Sequence, residues 1–238
     1  MRKIHVLLLL LILFSSCNYI GGRRVHGNGN LGSQTRSIGS FNAVHVLGSM
    51  DVVLIPGSNY SAKVEADENL LPYILTDKDG DALVVHTRNG YNLQSRNNIK
   101  VYVTAPSIEG IVVSGSGSFI SNGKLTTQRL KIDVTGSGDV KLDVDAPEIS
   151  SEATGSGNVT IAGNTRNFSS EINGSGELHC FNLLSENTKV EIAGSGDAEV
   201  YASKSLDVQI SGSGDVKYKG TPQINQRIAG SGSVRSTP

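Results

Sequence analysis

The side chains in this sequence that could do chemistry gather around one short motif. Gly-Ser-Gly occurs seven times, and its glycine pairs are Gly115/Gly117, Gly136/Gly138, Gly155/Gly157, Gly174/Gly176, Gly194/Gly196, Gly212/Gly214 and Gly230/Gly232. The residue after each unit is Ser118, Asp139, Asn158, Glu177, Asp197, Asp215 or Ser233. A phosphate-cradling loop needs G-x-x-x-x-G-K-[ST], and no unit supplies that lysine. A calcium-binding β-roll repeats every nine residues with a regular aspartate. Here the spacing is 18 to 21 residues and only three of the seven following residues are Asp. Glu177, Asp197 and Asp215 fall on consecutive units and form a candidate weak cation ladder, opposed by the repulsion of like charges on neighbouring strands. A separate "GNGNLG" (Gly27, Gly29, Gly32) fits the dinucleotide pattern but neither follows a strand nor opens a helix, so it is set aside.

Other reactive groups are sparse. Cys180 shares a column with Leu142, Ile161, Val200 and Tyr218, so it is expected to point inward as a small hydrophobe. By parity His179 then faces outward, which separates the two. His45 and His86 lie in predicted strands and His26 near the N-terminus, none with a recognisable catalytic partner. Neither a catalytic residue nor a cofactor is implied.

The near-constant spacing marks a repeat architecture. Two residues before each first glycine stand Val113, Val134, Ala153, Ile172, Ile192, Ile210 and Ile228; four after it stand Phe119, Val140, Val159, Leu178, Ala198, Val216 and Val234. The positions between are mostly polar. Such alternation means strands with one buried face. A unit of about 19 residues is too short for a strand plus a helix. The expected fold is therefore all-β: a single-stranded parallel β-helix, right-handed by the usual rule for parallel crossovers. Its glycines would serve as structural repeat corners over residues 114–238, each pair placed where a Cβ would strike the core or forbid the needed dihedrals. Residues 37–113 read as a less regular β-rich opening, as irregular coils or a cap, continuous with the repeats. Within them "ENLLPYILTD" (68–77) is a short helix or an irregular excursion, and Gly48 in "LGSMDVVLI" looks like a degenerate unit.

The N-terminus carries a targeting signal. Arg2 and Lys3 precede an apolar run, and "FSSC" (14–17) reads as a lipobox, giving a lipoprotein signal peptide over 1–16 and lipidation at Cys17. Acyl chains make that cysteine a membrane anchor. Residues 17–36, rich in Gly and Asn, read as a flexible tether. Past residue 16, 19 basic residues face 22 acidic ones, and Trp is absent. That near-neutral balance gives no nucleic-acid footprint. At the other end, "INQRIAGSGSVRSTP" leaves the final coil without an obvious cap, so self-association through the C-terminal edge is expected.

"SFNAVHVLGSMDVVLIPGSNYSAKVEADENLLPYILTDKDGDALVVHT" followed by the GSGD repeats resembles the putative auto-transporter adhesin head GIN domain family over about residues 37–236. The resemblance implies an exported β-helical domain, found mostly in Bacteroidetes, with no catalytic residues attached to it. Surface-bound lipoproteins of that group often carry acidic residues just after the lipidated cysteine. Here that stretch is "NYIGGRR", which favours the periplasmic face of the outer membrane. The resulting expectation is a non-catalytic, lipid-anchored envelope protein presenting polar faces to a protein or glycan partner. The alternatives are a carbohydrate-active enzyme on a β-helix scaffold and a cation-binding repeat protein. Short units with few loops leave little from which to build a catalytic cleft.

Overall fold

A computed structural model describes residues 22–238. The expected signal peptide (1–16), the expected lipidation site Cys17 and residues 18–21 lie outside the described residues.

Each repeat folds as two strands joined by its Gly-Ser-Gly. In the unit of Gly136, Arg129–Gly136 runs into the corner and Asp139–Asp145 runs out of it. The incoming strands stack in parallel through seven steps, so that Gly48, Gly115, Gly136, Gly155, Gly174, Gly194, Gly212 and Gly230 lie on one line. The outgoing strands form a second parallel stack, from Asp51–Pro56 to Ser233–Ser236. This is the parallel β-helix that the spacing predicts. Gly48 heads a true coil, although its motif has lost the second glycine to Met50.

The period-two alternation places every second side chain between the two walls. Ile111, Ile132, Val113, Val140, Ile161 and Val200 are all essentially sealed from solvent. Burying such a side chain stabilises by about 1.5–3 kcal/mol, and each coil does so only against its neighbours. Ser151 and Ser170 occupy the column of Ile132 and Val190, and the Ser151 hydroxyl donates to Ser170 Oγ at 2.9 Å, which satisfies both inside the core.

Beyond the Gly48 coil the walls become a cap. Ala82–Thr87 and Lys100–Ala105 continue them in parallel. Ile74–Asp79, Ser61–Asp67 and Leu31–Ser37 then add antiparallel strands. Within "ENLLPYILTD", Glu68–Tyr73 is a 3₁₀ helix that buries Leu70, and the chain becomes extended from Ile74.

The flexible tether expected over 17–36 is corrected where the structure describes it. Arg23–His26 pairs with Tyr91–Gln94 in parallel, and Leu31–Ser37 pairs along its whole length with Ser61–Asp67. The glycines there serve close packing rather than slack. A Cβ on Gly27 would lie 2.0 Å from an Asp67 carboxylate oxygen. Asp67 is fully buried and accepts hydrogen bonds from the Gly29 amide (2.9 Å), the Arg96 amide (2.8 Å), the Ser95 hydroxyl (2.7 Å) and the Asn97 side chain (2.7 Å). "GNGNLG" is therefore one side of a carboxylate clamp that fastens the N-terminal segment to the 95–97 loop.

Burial alone would raise the pKa of Asp67, but the Ser95, Arg96 and Asn97 donors outweigh it and hold the carboxyl at about 2. A depressed folded-state pKa contributes stability that is complete above the unfolded value and is lost as pH falls through the folded one. Asp67→Asn should therefore lower the melting temperature at pH 7, and the gap to wild type should close between pH 4 and pH 2. Thermal melts across that range check this; a gap that is constant with pH would refute it.

Candidate functional site

The Gly-Ser-Gly corner is built from backbone. Gly136 has φ +112°, where a residue with a Cβ is strained. Its six counterparts at the first position of each motif share that left-handed conformation. The second glycine is different. Gly138 lies outside that region but has no room, since a Cβ would sit 2.6 Å from the Gly117 carbonyl oxygen and 2.7 Å from Val113 Cγ1.

Of the two reasons expected for a glycine at these corners, a clash or a forbidden conformation, the clash is the one that holds at the second position. Gly117, Gly157, Gly176, Gly196, Gly214 and Gly232 stand at the corners as expected, but none is in the left-handed region, so none is there to make the turn. What excludes a side chain is the backbone of the preceding coil more than the core. A Cβ would lie 2.2 Å from Met50 O at Gly117, 2.2 Å from Gly138 O at Gly157 and 2.3 Å from Gly157 O at Gly176. The clash continues at 2.5 Å from Gly176 O for Gly196, 2.1 Å from Gly196 O for Gly214 and 2.2 Å from Gly214 O for Gly232. Conformation and clearance both select the first glycine, since a Cβ on Gly136 would also lie 2.6 Å from Gly115 O, and clearance alone selects the second.

The serine amides point along the stack. Ser137 N–H donates to Gly115 O at 2.9 Å, Ser156 to Gly136 at 2.8 Å and Ser175 to Gly155 at 2.9 Å, and the series continues to Ser231 on Gly212. The N–H groups that a phosphate loop would turn toward its ligand are spent on the coil below.

The residues after the corner form a second polar column. Asp139 Oδ1 accepts from the Asn158 amide at 3.1 Å, and Asn158 Oδ1 accepts from the Glu177 amide at 3.1 Å. Asp197 Oδ1 accepts from the Asp215 amide at 2.8 Å, and Asp215 Oδ1 from the Ser233 hydroxyl at 2.7 Å. That hydroxyl holds the Asp215 carboxyl below the usual range. Glu177 pairs instead with His179 Nε2 at 3.0 Å. The expected cation ladder is corrected accordingly. Glu177, Asp197 and Asp215 stack but do not converge, because their oxygens face the next coil or a neighbouring imidazole. Among the described residues, no group of three or more His, Cys, Asp or Glu is placed to hold a metal ion.

Cys180 is fully buried in the column assigned to it, and burial pushes its thiol pKa far up, which removes the nucleophilic thiolate. His179 faces outward between Glu177 and Glu199, the latter at 3.3 Å. His86 Nε2 lies 3.0 Å from the exposed Asp77 carboxylate.

One polar column escapes motif reading because it lies three residues before the glycine rather than after it. Asp133, Glu152, Glu171 and Glu191 are neighbours on the outward face of the incoming wall. Lys131 sits 2.9 Å from Asp133 and Lys189 2.6 Å from Glu191, which offsets the crowding at both ends. Beside them an open groove of about 320 Å³ is lined by Glu148, Asn167, Phe168, Asn187, Thr188 and Ser205 among others. The Asn187 amide donates to Asn167 Oδ1 at 3.0 Å, and the Ser205 hydroxyl donates to Asn187 Oδ1 at 2.8 Å. Among the described residues these are long, regular faces of polar side chains spaced one coil apart.

The family model for the putative auto-transporter adhesin, head GIN domain, matches residues 40–222, from the Gly48 coil through the sixth of the seven Gly-Ser-Gly units. The chain belongs to that family. Family membership marks it as an adhesin-like exported envelope protein. Its fold matches a putative adhesin from Bacteroides fragilis, with TM-score 0.82 and 21% identity over 90% of this chain and 100% of that one. A putative lipid binding protein from Parabacteroides distasonis matches with TM-score 0.74 and 28% identity, covering 91% of this chain and 100% of that one. A putative adhesin from the same species gives 0.74 and 26% over 90% and 100%. No curated protein matches the chain by sequence.

Strained glycine replacements at such corners cost about 1–3 kcal/mol, and contact with the adjacent carbonyl adds to that. Gly136→Ala and Gly138→Ala should each lower the melting temperature by about 4–8 °C. Asp139→Asn keeps an oxygen that accepts from Asn158 and should move it by less than about 2 °C. Thermal unfolding of the three variants tests the assignment; equal shifts would contradict a corner built on backbone.

Proposed function

We propose that the chain is a non-catalytic, lipid-anchored envelope protein, held by acylated Cys17 on the periplasmic face of the outer membrane, whose solenoid presents polar faces to a protein or glycan partner. The observation that carries this reading is the outer surface itself. Its polar groups are arrayed in columns one coil apart, Asp133 to Glu191 on one wall and Ser118 to Ser233 on the other. Repeated, evenly spaced groups on a flat wall suit an extended partner bound at many weak points, whereas catalysis needs groups converging on one atom. The adhesin descriptions of the solved relatives support a binding role, and the lipid-binding description of one of them fits a position next to a membrane. No helix among the described residues is long and apolar enough to cross a membrane.

Three measurements check it. Labelled fatty acid should enter the wild-type protein in growing cells and be lost in Cys17→Ser. Protease added to intact cells should leave the solenoid whole and digest it only once the outer membrane is permeabilised; digestion in intact cells would overturn the periplasmic placement. Incubated with envelope polysaccharides, the protein should release no new reducing ends, and turnover would overturn the non-catalytic reading.

A further inference from the structure

The two ends of the solenoid are finished differently. At the N-terminal end the antiparallel strands and the 3₁₀ helix close the core, and Leu70 and Ile74 are sealed. At the other end, every residue of Gln223–Gly230 is exposed. Its Ile224 and Ile228 continue the columns of Leu206 and Ile210, which are 1% and 0% exposed one coil earlier, yet they are 39% and 40% exposed themselves. Among the described residues, Gln223–Gly230 pairs only with Ser205–Gly212, so its outer edge presents free backbone donors and acceptors beside two unburied isoleucines.

We propose that this edge pairs with the same edge of a second copy, antiparallel about a two-fold axis through Gln226. The sequence selects both the partner and the register. Across a two-fold axis a strand meets itself reversed, and opposed residues must face the same side of the sheet. Only residues on the axis or an even number of positions apart can therefore be opposed. With Gln226 on the axis, Ile224 of one copy lies opposite Ile228 of the other, twice, and the two Gln226 amides meet between them. On the outer face Arg227 lies opposite Asn225, and Gln223 opposite Ala229. Placing Arg227 on the axis would set two guanidinium groups face to face, and placing Asn225 there would oppose Ile224 to Gln226. Pairing about Gln226 closes both apolar columns and leaves no like charges opposed. It is isologous, so it stops at two copies, with the two caps at the far ends of a doubled rod. This holds whether or not Cys17 is acylated.

The test is the mass of the purified protein in detergent, measured by light scattering over a range of concentrations. The expected result is a rise from one to two copies and a plateau there. Asn225→Arg should weaken association about tenfold or more, because it sets Arg opposite Arg227 at two symmetric places. Its fold should survive, because Asn225 already donates to Asp207 Oδ2 at 3.1 Å and an arginine there gains an ion pair. An unchanged melting temperature in dilute solution separates lost association from lost folding. Gln226→Cys should form an intermolecular disulfide under mild oxidation beyond any seen in wild type, whereas Asn225→Cys should not, since its counterpart lies off the axis. A strict monomer at all concentrations, a mass that climbs past two copies, or an Asn225→Arg dimer as tight as wild type would overturn the proposal.

Discussion

The structure depends on one backbone contact, the corner serine N–H donating to the carbonyl of the glycine one coil below. Each such bond stabilises by only about 0.5–1.5 kcal/mol. Its importance is geometric, because it fixes where the chain turns and so sets the register of both walls. The two glycines follow from it. Turning the serine amide along the stack requires the positive φ of Gly136, and bringing consecutive corners close enough to bond leaves no space for a Cβ on Gly138. With the corners in line, Val134 and Val140 fall on their neighbours' columns without further instruction. The core is thus a consequence of the corner as much as its cause.

Much of this could be read from residues alone. Seven motifs at near-constant spacing carry the period, and alternation about them carries the inner and outer assignment, down to Cys180 inside and His179 outside. The motif also marks both glycines of each pair as corners, but it does not show that both lack room for a Cβ while only the first is left-handed. That division depends on how closely the next coil approaches, which spacing along one chain does not report. Composition was a poorer guide. Residues 22–36 look loose because they are rich in Gly and Asn, but their order comes from partners far along the chain, Ser61–Asp67 and Tyr91–Gln94. Asp67 is the clearest case. Nothing around it distinguishes a buried carboxylate, since its five donors come from residues about 30 to 40 positions away. The carboxylate column of Asp133, Glu152, Glu171 and Glu191 is a different kind of omission. It stands in the same alignment as the glycines, and a search fixed on residues following the motif passes over it.

The same physics accounts for the surface. Along its walls, a solenoid that spends its backbone polar groups on its own coils offers a partner side chains, in lines with one coil's spacing, and keeps open backbone groups for the Gln223–Gly230 edge. The column after the corner is largely self-satisfied, with Asp139, Asn158, Asp197 and Asp215 capping the next coil. On the incoming wall Glu152 and Glu171 stand between the lysine pairs of Asp133 and Glu191, and Glu171 accepts from the Asn173 side-chain amide at 2.8 Å. In the function proposed for this adhesin-family domain, those lines of side chains are what an extended partner would contact.

Amide hydrogen exchange at the corners tests the central claim most directly. If the serine amides are stacking donors, those of Ser137, Ser156, Ser175 and Ser195 will exchange as slowly as the strand amides of Val134 and Val140. They will also be indifferent to added phosphate or Ca²⁺. Exchange at the rate of exposed loops, or protection that appears only with an added ion, would show the motif to be a ligand loop and contradict the account.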